Sequence, residues 1–146
     1  MDVLKQLQVK VEVKVHSAHR TPQETQDYVR RADQRGCAVF IAAAGMAAHL
    51  AGAVAAHTLK PVIGIPVDAG PLQGLDALLS TVQMPPGIPV ACTAIGKAGA
   101  KNAGYLAAQM LSLSDPELAL RLQQERDHNR QQVLKKDENL QTQLAS

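Results

Sequence analysis

His19 and Arg20 stand side by side in "VEVKVHSAHRTPQETQDYVRRADQRG", residues 11–36, where an alternating apolar run gives way to Thr21-Pro22. An unperturbed imidazole titrates near neutral pH, which suits a group that must give and take a proton. A guanidinium offers a rigid fork of donors matched to phosphate or carboxylate. The pair is therefore either a substrate site or an ordinary polar turn, and local pattern leaves both readings open. A second stretch, "AAAGMAAHLAG" (residues 42–52), combines small residues with His49. Small residues after a strand let a ligand approach backbone N–H groups, and a helix N-terminus favours an anion. His49 could equally cap a helix or be a core histidine.

Other spacings argue against specific chemistries. His16 and His19 are three residues apart with no third ligand nearby, and His49 and His57 are eight apart. Eight residues along a helix span roughly 12 Å, too far for one ion to bridge, so no metal is expected. Cys37 and Cys92 sit in the apolar runs "GCAVFIAA" and "PVACTAI" and read as buried free thiols. "GKAGAKNAG" (residues 96–104) lacks the spacing of a triphosphate-binding loop and reads better as close helix packing. "AAAGMAAHLAG" is likewise not a dinucleotide fingerprint. Asp68 and Asp76 fall in a Gly/Pro-rich loop, "VDAGPLQGLDALLSTVQMPPGIPV" (residues 67–90), where a solvated role is the default and contact with substrate hydroxyls the alternative.

The elements that must position these residues follow from periodicity. Residues 2–8 read as the end of a helix and residues 9–16 alternate apolar and charged, as a strand with one exposed face does. Thr21, Pro22 and Glu24 together signal a helix start with a capping box, and Gly36 a stop. Buried strands are expected over 37–43, 61–67 and 88–95, with a small-residue helix ending near His57, and 96–111 is expected to begin as a glycine-rich loop and continue as an Ala/Leu helix. Ser114-Asp115-Pro116-Glu117 opens a polar helix to about Lys136, followed by a frayed tail. Strand and helix in regular alternation predict an α/β fold with a mainly parallel sheet.

Composition removes several function classes. Of 146 residues only Tyr28, Phe40 and Tyr105 are aromatic, which argues against a base-stacking platform for nucleic acid. A formal charge of +2 is too small to imply a polyanionic partner. No basic leader and no apolar run long enough for a membrane span occurs, so a soluble, cytoplasmic protein is expected.

Together, "SAHRTP" (17–22), "AGMAAHLAG" (44–52), "PVIGIPV" (61–67), "LDALLSTVQMPPGIPV" (75–90) and "AIGKAGAKNAGYLAAQML" (94–111) resemble the N5-carboxyaminoimidazole ribonucleotide mutases of purine biosynthesis, relatives of aminoimidazole ribonucleotide carboxylase. The resemblance runs nearly unbroken from residue 9 to 113 and favours the mutase branch over the branch that uses free carbon dioxide. It implies a three-layer, doubly wound (flavodoxin-like) sandwich, assembled as a homo-octamer and functionally linked to an ATP-dependent carboxyaminoimidazole ribonucleotide synthase. It implies a small ribonucleotide substrate and no metal or organic cofactor. The carboxylate would move from the exocyclic nitrogen to ring carbon 4 by decarboxylation and recarboxylation. By the same resemblance His19 would be the acid and then the base, Arg20 would hold the phosphate, and Ser17, Ala18, Gly45, Met46, Ala47 and His49 would shape the pocket. Residues 1–113 would form the mutase-like domain and residues 114–146 an assembly helix and tail.

The match also departs from the family pattern. Family members open with a strand and a G-S-x-S-D loop that binds phosphate and ribose, and by back-counting from His19 both lie before Met1. The expectation is a sheet lacking its N-terminal strand, with apolar edges exposed, and a chain poorly active unless that loop is supplied from elsewhere. The alternative is a non-catalytic family member that acts as an assembly partner. In the second loop the commoner text is "AGAGGAAHLPG", so Ala43, Met46 and Ala51 stand where glycine, glycine and proline are usual. If that loop needs positive φ at Met46, the methionine costs about 1 kcal/mol or more.

Overall fold

The computed structural model describes residues 1–145. The chain opens with a short helix, α1 (Asp2–Gln6), and an irregular segment then leads to α2 (Pro22–Gln34). β1 (Phe40–Gly45), α3 (Leu50–Ala55), β2 (Val62–Val67), α4 (Leu75–Val82) and β3 (Ala91–Cys92) follow in alternation. Two helices close the chain, α5 (Gly96–Ser112) and α6 (Pro116–Leu144). The three strands form one parallel sheet in the order β1-β2-β3, with Phe40 opposite Val62, Gly45 opposite Val67, and Ile63 opposite Ala91.

β2 is covered on both faces, and its alternate residues separate two apolar clusters. Ile63 and Ile65 pack with Leu4 and Leu7 from the α1 region, Ala103, Ala107 and Ala108 of α5, and Leu118 of α6. On the other side, Val62 joins Phe40 and Ala42 of β1, Val29 and Ala32 of α2, and Ala51, Val54 and Ala55 of α3. Helices on both faces of a parallel sheet make the expected three-layer α/β sandwich. Alanine dominates the α5 face because a near-absence of aromatic bulk lets helix and strand approach closely.

Several local expectations need correction. Residues 9–16 form no helix or strand, and Val11, Val13 and Val15 are exposed. β1 is hydrogen-bonded to β2 alone, so its other edge is open. An alternating pattern specifies a face, not a partner, and among the described residues this segment joins neither edge of the sheet. Thr21 does begin α2, but no side-chain cap forms. Its hydroxyl instead donates to Ser17 O and accepts from Ser17 N, at 3.0 and 2.9 Å. β3 is only two residues long, although Thr93 N extends its ladder by one bond to Gly64 O at 3.0 Å. Cys37 and Cys92 are free thiols as expected but half-buried, and burial pushes both thiols up.

α5 begins at Gly96 itself, so "GKAGAKNAG" belongs to a packed helix and not to a loop. α6 starts as anticipated: Asp115 accepts from Leu118 N at 3.0 Å, a cap that contributes about 1 kcal/mol. It then continues to Leu144, replacing the frayed tail expected after Lys136. No described helix is long and apolar enough to cross a membrane.

Candidate functional site

The turn carrying His19 is rigid because of Ser17 and Thr21. Thr21 N donates to Ser17 O at 2.9 Å and Arg20 N donates to Ser17 Oγ at 3.2 Å, alongside the two hydroxyl contacts already described. Four hydrogen bonds within five residues thus fix the backbone from which His19 and Arg20 project. Both side chains are exposed, and among the described residues nothing takes up the Arg20 guanidinium. Just upstream, the His16 ring packs on Tyr28 of α2, centroids 5.0 Å apart, with its Nε2 buried and without a hydrogen-bond partner. Burial, reinforced by Glu12, pushes the Tyr28 phenol up.

The second side of the site is the loop from Gly45 to His49, between β1 and α3. A Cβ on Gly45 would lie 2.8 Å from Ala69 Cβ, so only glycine permits the end of β1 to meet the β2–α4 loop this closely. Ala48 N donates to Met46 O and His49 N to Ala47 O, both at 2.8 Å, which curls the loop tightly before α3. The curl delivers His49 beneath His19: the two rings lie parallel, 5° apart in plane, with centroids 6.3 Å apart. A Cβ on Gly52 would lie 3.4 Å from both His49 Cε1 and Met84 Sδ, which places this first turn of α3 in van der Waals reach of the imidazole. Met46 adopts φ +53, so the positive φ considered from the sequence is the conformation present.

The site therefore unites two sequence stretches that lie about thirty residues apart, at the carboxyl end of β1, where open α/β sheets bind ligands. Ser17 and Ala18 are half-buried, Gly45 likewise, and Met46, Ala47 and His49 line the open side. Asp68 and Asp76 serve neighbouring helices. The Asp68 carboxylate lies 3.3 Å from where a Gly96 Cβ would be, at the start of α5, where the helix dipole favours negative charge. Asp76 Oδ1 accepts from Ala77 N in the first turn of α4. Met84 comes near Gly52 across more than thirty residues, a proximity that no local signal in the sequence reveals. Among the described residues no group of three or more His, Cys, Asp or Glu gathers as a metal site. Two open grooves, of about 610 Å³ between α5 and α6 and about 830 Å³ around His57–Pro61, touch neither His19, Arg20 nor His49.

A family model described as AIR carboxylase matches residues 1–132. The N5-carboxyaminoimidazole ribonucleotide mutase of Bacillus subtilis is 54% identical over 139 residues, 95% of this chain and 86% of the relative. The protein of the same name from Pyrococcus abyssi is 53% identical over 125 residues, 86% of this chain and 71% of the relative. Among solved structures, PurE of Treponema denticola superposes with a TM-score of 0.83 at 26% identity, covering 95% of this chain and 85% of that one.

Proposed function

Given that this chain belongs to the AIR carboxylase family, we propose that it is an enzyme of purine biosynthesis, an N5-carboxyaminoimidazole ribonucleotide mutase. The observation that carries the reading is the convergence of His19, on a turn locked by Ser17 and Thr21, with His49 delivered by the β1–α3 loop. In this reading the N–C bond of the carbamate breaks, releasing carbon dioxide into the pocket, and His19 gives the exocyclic nitrogen its proton. Ring carbon 4 then attacks the carbon dioxide, and His19 takes back the proton from that carbon. One group acting as acid and then base leaves no net proton change and needs a pKa near the working pH, which imidazole has. Holding the carbon dioxide in place raises its effective concentration and keeps it from water. Ser17, Ala18, Gly45, Met46, Ala47 and His49 shape the base and carbon dioxide pocket.

Arg20 binds the substrate phosphate in this reading, a role supported by its exposed and uncommitted guanidinium. Arg20→Ala is expected to raise KM about tenfold or more, since charge-assisted hydrogen bonds contribute about 1.5–3 kcal/mol. Steady-state kinetics checks this; an unchanged KM removes Arg20 from the phosphate site.

The whole proposal is tested by following ultraviolet absorbance as the purified chain meets carboxyaminoimidazole ribonucleotide, with chelator present and ATP absent. Interconversion of the two carboxylated isomers is expected; none at micromolar enzyme would sink the assignment. A second reading, a non-catalytic assembly partner, is favoured by the unpaired and exposed segment 9–16. It predicts no turnover by the chain alone. We also infer a homo-octamer, a cytoplasmic location and a functional link to the ATP-dependent synthase that supplies the substrate. The stretch from 114 onward would serve assembly, supported by the exposed Leu120, Val133, Leu134, Leu140 and Leu144 on α6. Sedimentation of the purified chain, cell fractionation and a coupled assay with the synthase check these points.

A further inference from the structure

We propose that Met46 is a clamp that holds the β1–α3 loop against the β2–α4 loop and so sets the opening of the pocket where His19 and His49 face each other. The backbone is the first observation. Met46 sits at φ +53, a left-handed conformation that L side chains adopt only at a cost. Strain of this kind persists where surrounding structure enforces it, and it concentrates at working sites. The side chain is the second. A Cβ on Gly70 would lie 3.5 Å from Met46 Cγ and 3.8 Å from Sδ, so the thioether reaches from one loop onto the backbone of the other.

Core burial does not explain this placement, because Met46 is 55% exposed. What it touches is a segment whose Gly70, Gln73 and Gly74 are all left-handed, at φ +76, +51 and +87, and where Met46 adds a side-chain contact to the Gln73 N–Gly70 O bond at 3.3 Å and the close approach of Gly45 to Ala69. The curl is transmitted onward, since Met46 O accepts from Ala48 N and Ala47 O from His49 N. The backbone at Met46 is thus tied by consecutive hydrogen bonds to the start of α3, which His49 precedes. An unbranched thioether adapts its shape and can hold this contact while a ligand enters. Met46 acts through the loops, as a positioning residue for a site whose substrate rests on the mutase reading.

The test compares Met46→Gly, Met46→Asn and Met46→Leu in the full chain. Glycine and asparagine both tolerate a left-handed backbone, so these variants are expected to melt no lower than the parent. Without the thioether, amide hydrogen exchange over residues 69–74 is expected to accelerate at least tenfold. KM for carboxyaminoimidazole ribonucleotide should rise at least fivefold, and by a larger factor than kcat falls. Met46→Leu, which keeps the reach, is expected to restore slow exchange. Unchanged exchange in Met46→Gly overturns the clamp, whatever reaction the chain performs. Accelerated exchange with an unchanged KM overturns its role at the site. Absence of turnover by the unaltered chain counts against the mutase reading alone, and the exchange comparison still decides the clamp.

Discussion

His19→Asn is expected to lower kcat by about 10³-fold while KM stays within about threefold of the parent, the size of effect that positioned acid–base catalysis supplies. Asparagine matches imidazole in its first atoms and keeps a hydrogen-bonding tip, but it cannot carry a proton between nitrogen and carbon. The surrounding turn should survive, because its bonds run from Ser17 and Thr21 and none involves the His19 side chain. His19 is exposed, so its replacement leaves no cavity behind. Rapid-mixing absorbance measurements on the variant, with substrate binding followed separately, give both constants. A kcat near that of the parent would remove His19 from the chemistry and leave His49 as the group to examine.

The largest structural effect is expected at Gly99. A Cβ there would lie 1.6 Å from the carbonyl oxygen of Ala94 and 2.6 Å from its carbonyl carbon, which no rotamer change can relieve. The backbone at Ala94 must move, and it is anchored through its neighbour: Thr93 donates to Gly64 O twice, from N at 3.0 Å and from Oγ1 at 3.2 Å. Displacing Ala94 therefore pulls on the link between β3 and the central strand. Gly99→Ala is expected to cost about 3 kcal/mol, the upper range for overpacking a filled interior. For a chain of this size that is a fall of about 9 °C in Tm, read by circular dichroism. A Tm within 2 °C of the parent would mean that the α5 start yields more easily than its contacts imply.

Gly99 also illustrates what could be read in advance. "GKAGAKNAG" has no nucleotide spacing and its small residues read as helix packing; the contact of Gly104 with Val3 of α1 is of that kind, whereas Gly99 meets the backbone at Ala94 just before α5. The limits of α2 and the start of α6 were legible because Pro22, Gly36, Asp115 and Pro116 act locally, through backbone geometry and one capping bond. The alternating segment 9–16 misled because pairing is a property of two segments, and its own residues specify only which face is apolar. Thr21 was expected to cap α2 and bonds backward to Ser17, a competition between two local partners that composition does not decide. At the site, His19 and Arg20 could be singled out from type and position. Their approach to His49 depends on how β1 and the curled 45–49 loop meet across the sheet edge. No spacing in the chain encodes that distance.

α6 sets a boundary on the cooperative unit. Leu118 is buried and Leu122 packs against the same cluster, yet every described residue from Arg126 to Ala145 is exposed. Beyond that point the helix is supported by pairs along its own surface, Gln123 with Asp127, Asn129 with Glu125, His128 with Gln132 and Gln141 with Asp137. Each such pair contributes only about 0.2–0.5 kcal/mol. In the isolated chain, opening of the distal turns is therefore governed by a helix–coil equilibrium decoupled from global unfolding. Two transitions of different steepness coexist in one polypeptide: a sharp one belonging to the sandwich and a gradual one belonging to the last helix from Arg126 onward.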